Sequence, residues 1–326
     1  MSLRRAATSL VQRISGVAEE ANVFLGAKSF ALEGSLGADS VRHASNQAVK
    51  MRIRAIKNIG KITKAMKMVA ASKMRAAQVA VDNSRGIVDP FYRLFGDYPA
   101  VSVNKELTLA ITSDKGLCGG LNSSITKHTK TIIKMSAGEE GSAKEQTIVS
   151  VGDKGRAQLA RAEPHLYKLG FADTYKAKVT FSQASTIAEE LLKYNPDAVR
   201  VIFNKFYSAI SFKPTISTIL TPSALERQLD DPSGNRLDAY EVESTHERSD
   251  VLQDLAEFQL AATVYNAMLE NNCSESASRM SAMENSTKSA GDMLNKLTLS
   301  YNRKRQSTIT TELIEIIAGA SALMDT

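Results

Sequence analysis

The C-terminal third of the chain carries the feature that most constrains its fold, a proline-free segment with a continuous helical pattern. The last proline is Pro232, and 94 residues follow it. Ser244 and Glu247 form a Ser-x-x-Glu capping box, and the helical pattern runs from there to Leu323. Such a helix would be ~120 Å long, against a radius of gyration near ~20 Å for a globule of this length. We therefore expect it to protrude and to need a partner along its length.

Composition restricts the function classes. With 43% hydrophobic and 23% charged residues, the chain is typical of globular proteins. The two cysteines, Cys118 and Cys273, and the four histidines are too scattered to predict a disulfide framework, a zinc site or a His-centred catalytic site. No apolar run reaches the roughly 20 residues of a membrane-crossing helix. We expect a soluble protein without a cofactor, a metal or catalytic residues.

The first 45 residues differ from the rest. Three arginines lie among the first 13 residues, interleaved with Ser, Ala and Leu, and the first acid is Glu19. This Arg-rich, acid-poor composition predicts an organellar transit peptide, and a frayed N-terminal extension is the alternative. Cleavage within residues 42–45 would leave a mature chain that begins near Asn46.

Residues 46–100 predict a first long helix with two opposite faces. Apolar or small residues recur at steps of four and three, which is a heptad seam. The predicted seam contains Ala55, Ile59, Ile62, Met66 and Val69 and, after an interruption at Lys73, Ala76 and Ala80. A second, basic series lies about 200° around the helix and contains Lys50, Arg54, Lys57, Lys61 and Lys64.

The basic charge of this helix predicts an anionic partner. Between Lys50 and Val81 there are nine Lys or Arg and no acid, which exceeds the +6 of the whole chain. Nucleic acid, an anionic membrane and an acidic protein surface are all possible partners. No aromatic residue lies in this segment, which disfavours single-stranded nucleic acid. A regular stripe behind a seam favours an acidic protein surface over a merely solvated face.

Residues 236–326 predict the long C-terminal helix and its own seam. The seam contains Met280, Met283, Thr287, Ala290, Leu294, Leu297 and Tyr301, and the run Ile309, Leu313, Ile316, Ala320 and Leu323 continues it one position out of register. Two terminal helices with matching seams predict an antiparallel coiled coil. Ser, Thr and Asn crowd residues 274–289 and lower the helix propensity, so other contacts must hold this stretch helical. A further hypothesis is that small residues such as Ser278 and Ser281 keep the helix pair slender.

The middle of the chain, residues 101–235, reads as an α/β unit. The predicted strands are 107–112, 147–151 and 199–203, with 215–220 a weaker fourth, and helices are predicted near 123–135, 154–162 and 182–194. This alternation predicts a mostly parallel sheet, followed by a hinge-like turn at Asp230–Asn235. The predicted fold class is thus α/β, with an antiparallel two-helix coiled coil from the N- and C-terminal segments and a central Rossmann-like domain.

Two glycine motifs raise the question of phosphate binding. Residues 112–122 contain Asp-Lys-Gly-Leu-Cys-Gly-Gly between a predicted strand and a helix, and Gly152-Asp-Lys-Gly155 has a similar position. Neither motif matches the Walker or the dinucleotide pattern, so tight structural turns are favoured.

A cationic cluster on the long helix contains Arg303, Lys304 and Arg305 and is followed by Gln306. It is either a contact site or simply solvated surface charge.

Three stretches resemble the gamma subunit of F-type ATP synthase. They are residues 54–74, residues 113–122, and the C-terminal residues 277–290, 301–306 and 309–320. The resemblance covers residues 47–324. It implies that the two terminal helices form a central shaft inside a ring of alternating alpha and beta subunits, with the α/β domain as a foot near the membrane ring.

The same resemblance implies roles for particular residues. Lys61, Lys64 and Met66 would face acidic lever loops of the beta subunits, and Arg303, Arg305 and Gln306 would touch a catch loop of a beta subunit. The catalytic sites would belong to the ring, and this chain would have no cofactor. One copy per complex would also contact the small stalk subunits delta and epsilon and the membrane c-ring.

Departures from the pattern of other family members indicate the location. The inserted cysteine pair of chloroplast members is absent, and with the N-terminal extension this implies a mitochondrial form, on the matrix side of the inner membrane.

Two other function classes compete with this one. A basic coiled-coil nucleic-acid binder would show steeply salt-dependent affinity. A nucleotide-using α/β enzyme would bind ATP or a dinucleotide through the middle domain.

Overall fold

The computed structural model of the chain describes residues 38–96, 103–137, 145–221, 224 and 248–324. Residues 1–37 of the predicted transit peptide, the Ser244–Glu247 capping box and the turn at residues 230–235 lie outside this description. The chain divides into two compact units. One unit is Arg52–Ser300, and the other joins residues up to Met51 with residues from Tyr301 onward.

A five-stranded sheet forms the centre of the larger unit. Its strands are β1 (Lys105–Ile111), β2 (Glu145–Val151), β3 (Tyr167–Phe171), β4 (Ala198–Phe206) and β5 (Phe212–Leu220). The spatial order is β3-β2-β1-β4-β5, with parallel pairs except for the antiparallel β4–β5 pair. Pro214 is tolerated because β5 is an edge strand. The predicted mostly parallel sheet is confirmed.

Helices cover both faces of the sheet. On one face, α2 (Leu121–Ala137) and α3 (Asp153–Ala162) bury Ile125, Ile132 and Leu159 against Ala110, Ile148 and Ile202. On the other face, α4 (Phe181–Leu192) packs with Val81 of the N-terminal helix and with residues 260–277 of the C-terminal helix. A Thr180/Gln183 capping box begins α4 and satisfies its first amides. The core thus has three layers, and the two long helices supply part of one of them.

The terminal helices are long. The first, α1, runs over Ala38–Phe95 for 58 residues, and the last, α5, runs over Arg248–Met324 for 77 residues. Pro90 lies inside α1 and has no backbone amide to donate to the carbonyl of Gly86, four positions earlier. Within the described ranges, no helix combines the length and hydrophobicity needed to cross a membrane.

Within the larger unit, α1 and α5 pair antiparallel. The Thr287 hydroxyl donates to the Thr63 hydroxyl at 2.8 Å, and Lys67 Nζ lies 3.0 Å from a carboxylate oxygen of Glu284. Further along α1, Arg85 meets Glu270. Because partner numbers fall along α5 as they rise along α1, the helices run in opposite directions, and the predicted antiparallel pairing is confirmed.

The seam on α1 lies one residue away from the predicted one. Ile59, Ile62 and Val69 are 51%, 49% and 58% exposed, and Met66 is half-buried. The inner positions are instead Ile56, Gly60, Thr63, Lys67, Ala70, Met74, Ala77 and Val81. A Cβ atom on Gly60 would lie 3.8 Å from the Cβ of Ala290. Small residues at the contact permit this close approach, so the larger apolar side chains lie outside it.

On α5 the inner positions follow a single four-three series. Met283 is 4% exposed, and Met280, Thr287, Ala290, Leu294 and Leu297 are half-buried. In the other unit Tyr301 is also half-buried, whereas Ile309, Leu313, Ile316 and Leu323 are exposed. The apolar run near the C-terminus therefore stays largely uncovered by the part of the chain that the structure describes.

Candidate functional site

Polar side chains of α5 attach the helix pair to the carboxyl-terminal edge of the sheet, and we call this attachment the helix seat. Its members on α5 lie within about three turns of the helix and are Asn266, the adjacent pair Glu270 and Asn271, Ser274 and Ser278. Asn266 accepts from Ser84 of α1 at 2.8 Å, and the Ser274 hydroxyl donates to the Asn204 carbonyl at 3.0 Å. These bonds explain why a stretch with low helix propensity stays helical.

The centre of the helix seat is a buried ion pair. Glu270 is fully buried, and its two carboxylate oxygens accept from Arg85 Nε at 2.7 Å and Arg85 Nη2 at 3.1 Å. The same carboxylate accepts the Phe206 amide at 2.7 Å, while Arg85 Nη2 donates to the Phe206 carbonyl at 2.6 Å. The hydrogen bond to Glu270 raises the pKa of Arg85. One bidentate pair therefore joins α1, α5 and the end of β4.

The first glycine motif is part of the helix seat. Gly119 has a φ of 59°, which favours glycine. The Ser278 hydroxyl donates to the Cys118 carbonyl at 2.5 Å, and Arg279 reaches the Gly116 carbonyl at 3.4 Å. Within the turn, the Asn122 side chain bonds Ser113. This turn packs against α5 and uses its carbonyl groups as acceptors, as a structural turn would.

The second glycine motif lies where a phosphate would be expected, at the start of α3, but a carboxylate occupies that place. Asp114 accepts from the backbone amides of Asp153, Asp173 and Tyr175, each at 3.2 Å. Thr112 Oγ1 accepts the Gly155 amide at 2.9 Å. Because amides that could bind an anion already bind Asp114, the edge would repel phosphate. Both glycine motifs therefore serve as structural turns.

Both cysteines are buried free thiols. Burial raises the pKa of Cys118, and burial together with the Glu270 charge raises the pKa of Cys273 to about 12. The described residues contain no group of His, Cys, Asp and Glu side chains that could hold a metal ion. The site offers contacts and charge rather than reactive groups.

Most cations on the basic face of α1 have no ion-pair partner among the residues that the structure describes. Of the nine cations between Lys50 and Val81, Lys67 alone forms an ion pair among the described residues, with Glu284. The neighbouring Lys67 ammonium lowers the pKa of the Glu284 carboxyl. The exposed Ile59 and Ile62 lie beside these cations on the same helix. The resulting surface combines basic and apolar groups.

The predicted contact residues fall on both units. In the larger unit Lys61 and Lys64 are exposed and Met66 is half-buried, all on α1. In the other unit Arg303, Arg305 and Gln306 are exposed on α5. The helix seat was not predicted from the sequence. A usable signal was the acid Glu270, which directly follows the mostly apolar residues 260–269.

Paired helices seated on a mostly parallel sheet, with an exposed basic and apolar surface, define a subunit that acts through contacts with partner chains. Residues 45–323 match the family described as ATP synthase. The chain is 49% identical over 292 residues to the mitochondrial ATP synthase subunit gamma of Ipomoea batatas, which covers 88% of each chain. For the Arabidopsis thaliana protein of the same name, identity is 47% over 293 residues, covering 89% of this chain and 88% of that one.

A solved structure agrees with the fold. A chain of the Euglena gracilis mitochondrial ATP synthase, solved by cryo-EM, matches with a TM-score of 0.72 at 22% identity, covering 86% of this chain and 95% of that chain. The chain therefore belongs to the ATP synthase gamma subunit family, with mitochondrial gamma subunits among its relatives.

Proposed function

We propose that this chain is the central-stalk rotor subunit of a proton-translocating F-type ATP synthase. It couples rotation of the membrane ring to conformational cycling of the catalytic beta subunits and is itself non-catalytic. Its family membership and its match to gamma subunits over nearly nine-tenths of its length support this role.

The surface of the paired helices is the observation that carries the proposal. Exposed apolar side chains lie beside eight cations that have no ion-pair partner among the described residues. A ring of alpha and beta subunits around the helices would cover the apolar groups and supply acids. Lys61, Lys64 and Met66 would face acidic lever loops of beta subunits, and Arg303, Arg305 and Gln306 would touch a catch loop.

The remaining partners are assigned by family. The α/β domain within residues 101–235 would form the foot and contact the delta and epsilon subunits and the c-ring, with one copy per complex. The helices would belong to segments 46–100 and 236–326, after removal of residues 1–45 as a transit peptide. The complex would lie in the mitochondrial inner membrane, with this chain on the matrix side and without a cofactor.

Rotation would act by presenting a different face of the helix pair to each beta subunit. To move a two-state element from 1:99 to 99:1, differential contacts worth about 5.5 kcal/mol are needed. One exposed ion pair contributes about 0–1 kcal/mol, so coupling would be distributed over several cations and apolar groups. The helix seat would pass torque from the foot to both helices, because it bonds each of them to the end of β4.

Native mass spectrometry of a gentle pull-down tests the proposal. The expected assembly holds three copies each of two larger nucleotide-binding subunits per copy of this chain. A chain recovered alone, or with nucleic acid in a salt-sensitive complex, would contradict it. The second outcome would instead support the nucleic-acid alternative.

A further inference from the structure

A groove on the outer side of the α/β domain concentrates positive charge. It runs between α2 and α3, on the sheet face opposite α5, and has a volume of about 430 Å³. Lys127 and Lys130 of α2 line it together with Arg161 of α3, and Ser123 and Gln158 lie between them. The cations therefore come from both sides of a concave surface.

The three cations of this groove have no counter-charge within the described chain. None of them forms an ion pair among the described residues, no acid lines the groove, and the 17 residues of α2 contain no Asp or Glu. Other surface cations of the same domain do pair, as in Lys176 with Asp173 and Lys193 with Glu190. The groove thus differs from a surface of mixed charges, and an anionic partner would relieve its repulsion.

We infer that this groove, named the α2–α3 groove, binds an acidic segment of a neighbouring protein subunit. No aromatic residue lines the groove, so nucleic-acid bases have nothing on which to stack. Carboxylates of an extended segment could pair with Arg161 in bidentate geometry and with both lysines, while Ser123 and Gln158 bond its backbone. The inference rests on the proposed function only in that the neighbour belongs to the same complex.

Photo-crosslinking in the assembled complex tests this site. With Gln158→p-benzoylphenylalanine, the crosslinked peptide is expected to come from one other subunit and to be rich in Asp and Glu. The same change at exposed Ser185, on α4 in the opposite layer, is the positional control and should not capture that peptide. Crosslinks to lipid, to a peptide without acids, or to nothing in an intact complex would overturn the inference.

Charge reversal supplies the second arm. Lys127→Glu with Lys130→Glu should lower the crosslink yield at least about tenfold, whereas the charge-matched pair Lys168→Glu with Lys178→Glu should leave it unchanged. Reversing the acids of the captured segment to lysine should restore the yield. Equal losses in both pairs, or no loss in either, would refute a specific acidic ligand. If the unsubstituted chain fails to enter the complex, this would contradict the proposed function instead.

Discussion

Arg85 of α1 and Glu270 of α5 meet through two hydrogen bonds, the shorter of which joins Arg85 Nε to a Glu270 oxygen at 2.7 Å. Both side chains also bond the backbone of Phe206, at the last residue of β4. The carboxylate is fully buried, so these donors take the place of the water that would otherwise solvate its charge. This arrangement fixes two helices to one strand end through a single charged pair.

Removing the charge of Glu270 should destabilise the larger unit. Glu270→Gln removes the buried carboxylate that pairs with Arg85, while Asp82, 3.7 Å from Arg85 Nη1, still faces the partly exposed guanidinium. Loss of the charged hydrogen bonds in the helix seat should therefore cost about 1–3 kcal/mol. Faster hydrogen exchange of the Phe206 amide and a lower melting temperature of the full chain are the readouts. Lys67→Met, which breaks the exposed pair with Glu284, is the control and should cost about 0–1 kcal/mol. Similar losses in the two variants would mean that the helix seat does not depend on this pair.

The register of α1 predicts opposite outcomes for two changes at one position. Gly60→Ala should raise the free energy of unfolding by about 0.5–1 kcal/mol, because the helix gains propensity and the new methyl group fits beside Ala290. Gly60→Leu overfills the same contact and should lower the free energy of unfolding by about 1–3 kcal/mol. Thermal unfolding of both variants measures this. A Gly60→Leu variant that unfolds with an unchanged free energy would instead support the sequence-predicted register, in which Ile59 faces α5.

Cys273 should resist alkylation at pH values where free thiols react. An unfolded thiol has a pKa of about 8.5, whereas the folded chain raises the pKa of Cys273 to about 12. Because the folded pKa is higher, burial of the protonated Cys273 thiol contributes stability that is fully present below the unfolded pKa. This contribution is lost as the pH rises toward the folded pKa. Iodoacetamide labelling of a Cys118→Ser variant at pH 8 and 10 isolates this thiol. Labelling as fast as in the urea-unfolded chain would disprove the assignment.

Coupling distributed along the helices predicts graded losses. Neutralising Lys61, Lys64, Arg303 or Arg305 singly should reduce coupled ATP synthesis by at most about fivefold, the effect of one exposed ion pair. All four changes together should nearly abolish it. Lys168→Gln with Lys178→Gln controls for lost surface charge. Abolition of synthesis by any single change would show that one contact dominates.

Periodicity and proline placement predicted most of the fold, because long helices and buried strands leave repeated signals. Strand β3 was not predicted, because its five residues include Lys168 and Gly170 and lack a clear strand pattern. The predicted register of α1 was wrong, because two four-three series lie one residue apart and the more hydrophobic one was taken as the seam. In the structure the two helices lie so close together that the small residues Gly60 and Ala70, rather than their larger neighbours Ile59 and Val69, occupy the contact.

The helix seat was beyond sequence reasoning for a different reason. Residues 274–289 are unusually polar, and the slender-helix hypothesis explained their small size by clearance from surrounding chains. Ser278 is instead buried against the glycine turn, where its hydroxyl bonds Cys118 and a Cβ on Gly119 would lie 3.3 Å from it. Ser281 is exposed and remains available for that hypothesis. Pairings between residues about 160 positions apart leave no local pattern.

Single-molecule rotation tests the central claim most directly. The catalytic ring is fixed to a surface, and a bead is attached to the foot through Lys178→Cys, an exposed position outside the helices. With ATP present, the bead should turn continuously in one direction. A bead that stays fixed while the same complexes hydrolyse ATP would contradict the proposed rotor function.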